Sequence, residues 1–137
     1  MTKSRVLILC TGNSCRSQMA EGLINDRLGD RWAADSAGTE PSGYVHPLAV
    51  KALGELGIDI SQGRSQSVEE FRNVTYDQVI TVCDDAREKC PLWLGEGTVR
   101  HISFPDPALA TGSEDERMAV FRQVRDDIQE EVLGYLR

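Results

Sequence analysis

The stretch Val6-Leu7-Ile8-Leu9-Cys10-Thr11-Gly12-Asn13-Ser14-Cys15-Arg16-Ser17 decides the fold. An apolar run of strand length ends in a cysteine, and a short loop containing glycine follows. From Ser17 to Leu28, residues Met19, Ala20, Leu23, Ile24 and Leu28 recur near helical spacing, and Gly29 supplies a stop. A strand, a tight loop and a helix in that order place backbone amides at a helix N-terminus, where an anion is favoured. Gly12 permits a left-handed turn. Arg16 adds a planar fork that matches two oxygens of a tetrahedral anion. The same amides and helix dipole favour a thiolate at Cys10, and Ser17 is placed to donate to its sulfur. Thr11, Gly12, Asn13, Ser14, Cys15 and Arg16 are therefore the candidate anion-binding residues, with a packing role expected for the Cys15 side chain.

Outward from this loop, strands are expected at Arg5–Cys10, Trp32–Ser36, Gln78–Cys83 and Val99–Phe104. Helices are expected at Ser17–Leu28, Pro47–Leu56, Val68–Phe71 and Glu114–Leu136. The last carries an apolar stripe of Met118, Phe121, Val124, Ile128, Val132 and Leu136. Alternating strands and helices imply an α/β fold. The expected form is one three-layer sandwich over residues 1–137: a four-stranded parallel sheet of order 2-1-3-4 with helices on both faces. Strands 1 and 3 are then neighbours, and ligands sit at their carboxyl ends, where the winding reverses. The third strand runs into Cys83 at that edge, and Cys90 follows seven residues on. Strands about 4.8 Å apart bring Cys10 and Cys83 within the span of a disulfide. Asp106, held between Pro105 and Pro107, lies just after the fourth strand and is the candidate proton donor.

Composition narrows the function. The 137 residues, 40% hydrophobic and 27% charged, are those of a soluble globular chain, with no apolar run near the roughly 20 residues that span a membrane. No signal-peptide core is evident, so a cytoplasmic location is expected. There, four cysteines are reactive or metal-binding rather than structural. No Cys-x2-Cys pair supports zinc. His46, before Pro47, is read as a surface or capping residue and His101 as structural. Trp32, Trp93, Tyr44 and Tyr135 are read as core or rim residues. A net charge of −7 argues against nucleic acid as a partner. It also means that an anion must be held by local groups. A monomer is expected.

The run Cys10-Thr11-Gly12-Asn13-Ser14-Cys15-Arg16-Ser17-Gln18-Met19-Ala20-Glu21-Gly22 resembles the loop and first helix of thioredoxin-coupled arsenate reductases, which share the low-molecular-weight protein tyrosine phosphatase fold. Further matching stretches are Ser36-Ala37-Gly38, Asp59-Ile60-Ser61, Cys83-Asp84-Asp85-Ala86, Cys90-Pro91 and Asp106-Pro107-Ala108. The resemblance implies an oxidoreductase of arsenic detoxification. Cys10 attacks arsenate, Arg16 and Ser17 assist, and Asp106 protonates the departing oxygen. Cys83 then displaces arsenite, and Cys90 moves the redox-active disulfide outward to thioredoxin. Phosphate and sulfate should compete as anions. Straight helix would part Cys83 and Cys90 by about 10.5 Å, beyond the bridging limit of about 7 Å, so residues 84–97 must unwind on oxidation. Hydrolysis of phosphotyrosine by Cys10, Arg16 and Asp106 is the alternative, as is a non-catalytic anion or redox sensor. Phosphatases of this fold usually carry an aromatic wall where this chain has Ala108. Some of these reductases bind potassium. Asn13, Glu21 and Ser36 match that site, but Arg64 and Gln66 stand where threonine and aspartate are expected. The exchange should weaken a cation site, and no metal or other cofactor is expected.

Overall fold

The computed structural model describes residues 3–84, 93 and 95–137. Four parallel strands form one sheet: β1 (Ser4–Cys10), β2 (Trp32–Gly38), β3 (Gln78–Thr81) and β4 (Thr98–His101), in the order β2-β1-β3-β4. That is the order expected from the sequence. The most apolar strand takes the centre, because a parallel sheet is covered on both faces. Val6 to Cys10 are all buried. β4, whose four residues are exposed, takes the edge.

Successive residues of β1 point to opposite faces. Val6, Ile8 and Cys10 join one core with three mutually packed helices, α1 (Arg16–Arg27), α2 (Pro47–Gly54) and α3 (Glu114–Ile128). Leu7 and Leu9 face a second, smaller core with Ala37, Val68, Tyr76, Val79 and Trp93. A 3-10 helix at Val68–Phe71, capped by a reciprocal Ser67–Glu70 pair, covers that side. Trp32 is partly buried and Tyr135 packs on the rim; Tyr44 is exposed.

Two expected strands are shorter than predicted. β3 stops at Thr81, but the Val82 amide still donates to the Leu9 carbonyl at 2.9 Å, so Cys83 lies just past the ladder. β4 ends at His101, where the Ile102 amide makes a last bond to Thr81; Pro105 lacks the donor that an extension would need. The long C-terminal helix starts at Glu114 on a Ser113–Glu116 capping box. It then widens into a π turn over Gln129–Leu133 before a final turn at Gly134–Leu136. The extra residue in that turn lets Val132 and Leu133 both reach the core beside Leu136.

α2 and α3 are joined by Arg125, only 8% exposed. Its Nη1 donates to the Ala52 carbonyl and to Glu55 Oε1, both at 2.9 Å, and its Nε to Asp126 at 2.8 Å. Arg122 grips the same Glu55 with two nitrogens. The hydrogen bond from Arg122 leads the effects that hold the Glu55 carboxyl well down, at about 2. Replacing Arg125 by Met leaves the Ala52 carbonyl and one Glu55 oxygen without this partner. We expect a loss of about 2 kcal/mol in urea unfolding at pH 7; an unchanged midpoint would refute the clamp.

Candidate functional site

The site lies at the carboxyl edge of the sheet, where β1 hands over to α1. A cavity of about 210 Å³ there is lined by Cys10, Thr11, Gly12, Asn13, Ser14, Cys15, Arg16 and Asp106. The structure thus brings together every loop residue named from the sequence, and Asp106 with them.

The loop is shaped from outside. The Thr11 carbonyl accepts from the Glu40 amide (3.0 Å), Gly12 from Ser42 (2.9 Å) and Ser14 from His46 (2.9 Å). In a trans peptide the next residue's N–H points opposite to the carbonyl, and no peptide bond among the described residues is cis. The amides of Gly12, Asn13 and Cys15 therefore turn toward the cavity. The Asn13 carbonyl is held by Gln18 Nε2 at 3.2 Å, which turns the Ser14 amide the same way. α1 opens at Arg16 with no side-chain cap and no acid in its first turn, so its positive end faces the same space.

The left-handed residue is Asn13 (φ 48°), not Gly12 as the sequence suggested. Asparagine tolerates that conformation better than most side chains, and here its carboxamide is also used. Asn13 Oδ1 accepts from the Gln66 amide (2.7 Å) and from Gln18 Nε2 (3.1 Å). Asn13 Nδ2 donates to Ser17 Oγ (2.7 Å), and Ser17 Oγ lies 3.1 Å from Cys10 Sγ. Because Ser17 accepts from Asn13, its own proton is left for the sulfur. The Asn13 backbone amide also donates to Cys10 Sγ, at 3.3 Å. Ser65 Oγ braces the Gly12 carbonyl at 3.2 Å. The sequence singled out Arg64 and Gln66 only as departures from a cation site and Gln18 only as part of the matching run; the bonds of Gln18 to Asn13 and the Arg64 carbonyl, and of the Gln66 amide to Asn13, emerge in the structure.

Arg16 is 3% exposed, with Nη1 donating to the Phe104 carbonyl (3.3 Å) and Nη2 3.7 Å from Asp106 Oδ2. Asp106 caps a 3-10 turn at Pro107–Leu109 by accepting from the Ala108 amide at 3.0 Å. The prolines on either side thus aim its second oxygen across the cavity. Cys10 is 2% exposed and Cys15 equally buried; both are free thiols. Burial pushes the Cys15 thiol up to about 12, so it stays protonated and packs. Cys83, fully buried in the same core as Cys10, is disulfide-bonded. Cys90 lies outside the described residues, as does most of the 84–97 segment. Within that segment Trp93 is buried against Tyr76.

The residues that the resemblance associates with potassium are placed as follows. Asn13 Oδ1 already faces two N–H donors. The Gln66 side chain turns its Nε2 toward the Ser36 carbonyl at 3.5 Å. Arg64 extends into solvent beside Glu70. Burial, with Asp35 nearby, raises Glu21 to about 7 and blunts the remaining carboxylate. His101 Nδ1 is 2.7 Å from Thr81 Oγ1, a bond across the sheet edge.

A cysteine seated in a ring of inward amides, with an arginine beneath and a carboxylate across the opening, defines the oxyanion site of a phosphatase-like α/β protein. The chain belongs to the family described as low molecular weight phosphotyrosine protein phosphatase, whose model matches residues 5–137. It is 48% identical over 132 residues to an arsenate reductase of Bacillus licheniformis, covering 96% of this chain and 94% of that one. Among solved structures, it is similar to an arsenate reductase in an oxidized state, at 34% identity and TM-score 0.79, covering 96% and 95% of the two chains. It also resembles an arsenate reductase in a phosphate-binding state, at 32% identity and TM-score 0.74, covering 97% and 96%.

Two outcomes follow from the geometry. A Cβ on Gly38, the last residue of β2, would stand 2.3 Å from the Thr11 carbonyl oxygen and 3.1 Å from the Asn13 nitrogen. Gly38→Ala must push the loop away. We expect a loss of about 2 kcal/mol in urea unfolding and at least about tenfold weaker sulfate binding by calorimetry, taking two lost amide contacts at roughly 1 kcal/mol each. Normal sulfate affinity would contradict this packing.

His46 caps α2 by accepting from the Leu48 amide at Nδ1 (3.1 Å), so it works only as the neutral ring. Burial and then Arg117 lower its pKa below the ordinary value, against a smaller opposing pull from Asp106. The cap's stabilisation is therefore complete above the unfolded-state pKa of about 6.5 and fades as pH falls through the lower folded value. His46→Asn, a cap that does not titrate, should match wild type near pH 8 and exceed it at pH 5 by up to about 1 kcal/mol. Parallel stability curves would contradict this role.

Proposed function

We propose that this protein is a thioredoxin-coupled arsenate reductase in which Cys10, Cys83 and Cys90 act in turn. The observation that carries the reading is the pairing of states among the cysteines: Cys10 is a free thiol inside a finished anion pocket while Cys83 is oxidised. A hydrolase of this fold has no use for a second, oxidised sulfur at the same sheet edge. Near-full-length identity of 48% to an arsenate reductase supports the same reading.

Arsenate enters the pocket on the amides of residues 12–15 and the guanidinium of Arg16, which balance a dianion that the acidic chain does not attract at long range. The Cys10 sulfur, with the Ser17 hydroxyl and the Asn13 amide donating to it, attacks arsenic(V). One oxygen leaves, protonated by Asp106, as water. Cys83 then attacks the Cys10 sulfur, the S–As bond breaks, and its electron pair stays on arsenic. Arsenic(V) becomes arsenite, and two thiols become one disulfide. Cys90 attacks Cys83, releases the Cys10 thiol and carries the disulfide outward. Thioredoxin supplies the dithiol that reduces it.

Phosphate binds the same groups but does not turn over, because phosphorus(III) is out of reach of a leaving thiol. We expect potassium to have no part in the cycle; the donors already on Asn13 Oδ1, from Gln18 and the Gln66 amide, support that reading. The dithiol requirement suits a cytoplasmic monomer. Structurally, no helix among the described residues is long and apolar enough to cross a membrane.

The test is Cys83→Ser. With thioredoxin, its reductase and NADPH, the variant should lose multiple turnover by at least about 10³-fold, while sulfate affinity stays within about twofold of wild type. Mass mapping of the wild type after one equivalent of arsenate should recover a bridged Cys83 peptide. Wild-type turnover in the variant, or a fully reduced wild type after arsenate, would end the proposal.

A further inference from the structure

Gln18 is 1% exposed, yet it lies outside the cavity lining and has no place in the reaction above. Its Nε2 meets three oxygens: Asn13 O at 3.2 Å, Asn13 Oδ1 at 3.1 Å and Arg64 O at 2.8 Å. All three are acceptors, so the amide nitrogen must face them. Its own Oε1 is buried with no hydrogen-bond partner. A buried carbonyl oxygen left unsatisfied costs stability, on the order of 1–3 kcal/mol. The molecule tolerates that loss, which points to a use for the two N–H groups.

Hydrogen-bond direction shows the use. The Asn13 carboxamide has a donor end and an acceptor end, and only one orientation serves Cys10. Donors from Gln18 and from the Gln66 amide both meet Oδ1. This fixes Nδ2 on Ser17 Oγ, and the Ser17 proton is thereby committed to the sulfur. Gln18 also holds the Asn13 carbonyl, which keeps that residue in its left-handed conformation and its amide on Cys10. Without Gln18 the Gln66 amide alone holds Oδ1, so the carboxamide is fixed at one point instead of two and its hold on Ser17 Oγ loosens.

We propose that Gln18 is a positioning residue that sets the reactivity of Cys10 through Asn13 and Ser17. The proposal rests on the reading of Cys10 as the nucleophile. It goes beyond it by assigning a role to a side chain that touches neither anion nor sulfur. The arrangement makes the effect a coupled one: whatever Gln18 contributes to the sulfur through Ser17 disappears once the serine hydroxyl is gone.

The experiment is the rate of iodoacetamide alkylation of Cys10 in fully reduced protein at pH 7, followed by mass mapping of the Cys10 peptide. Gln18→Met keeps the length and removes both donors. We expect it to slow alkylation about fivefold or more, the worth of roughly one hydrogen bond. In the Ser17→Ala background the same change should slow it by less than it does with the serine present, the remainder being the share carried by the Asn13 backbone amide. If Gln18→Met does not fold, Gln18→Glu, which has the same shape without the N–H groups, is read in the same way. Wild-type reactivity in the single variant overturns the proposal. So do multiplicative losses in the double variant, which a merely structural role would give. The assay needs no arsenate, so a wild type that fails to reduce arsenate would refute the functional reading and leave this coupling standing.

Discussion

The outward tethering of three carbonyls makes the rest of the site possible. Glu40, Ser42 and His46 each donate one backbone amide to the loop, at 3.0, 2.9 and 2.9 Å. Each bond rotates a peptide plane so that the neighbouring N–H faces inward. None involves a side chain, so the sequence of that segment is only loosely constrained, while its path is not. The path depends on Gly38: the β2 backbone approaches Thr11 closely enough to exclude any side chain. The anion pocket is thus built by the strand beside β1 and the chain that leaves it.

Cys10 and Cys15 show how local the resulting chemistry is. Both are 2% exposed and both belong to the same loop. Cys15 has a weak contact to Ser14 at 3.5 Å, and burial keeps it a thiol. Cys10 receives a backbone amide and a hydroxyl whose proton is already directed to it. Burial alone does not distinguish the two sulfurs. The difference is the supply of oriented donors, which Cys10 has in a backbone amide and a hydroxyl.

The sequence made the sheet order legible because it follows from alternation of elements and from the apolar strand ending at Cys10. The loop residues and Asp106 were legible because each lies next to a strand end or a proline. What was hidden has a common physical cause. Gln18 was read only as part of the loop-and-helix run, and Arg64 and Gln66 only as replacements at a cation site. Their importance comes from bonds that span 46 and 53 positions of chain. Gly12 was the natural candidate for the left-handed position, since glycine adopts it at least cost. The structure uses Asn13 because only a side chain with both a donor and an acceptor can stand in that conformation and also link Gln66 to Ser17. The π turn at Gln129–Leu133 was equally invisible, because an apolar stripe with one extra residue still reads as a helix.

The tethers also explain how one edge of a sheet can host both a rigid pocket and a sulfur relay. The bonds that shape the loop come from Gln18 of α1 and from residues 40–46 and 65–66, on the β2 side. Cys83 lies on the other side, just past β3, and its oxidised state coexists with a complete pocket and a free Cys10. Arg16 and Asp106 look toward the far strands, through the Phe104 carbonyl and the turn at Pro107. In the relay proposed above, a disulfide at Cys83 would then form and be removed without disturbing the amides that bind the next anion. For a relay this separation matters more than the distance between sulfurs. The nucleophile has to be ready again while its oxidation is still being passed on.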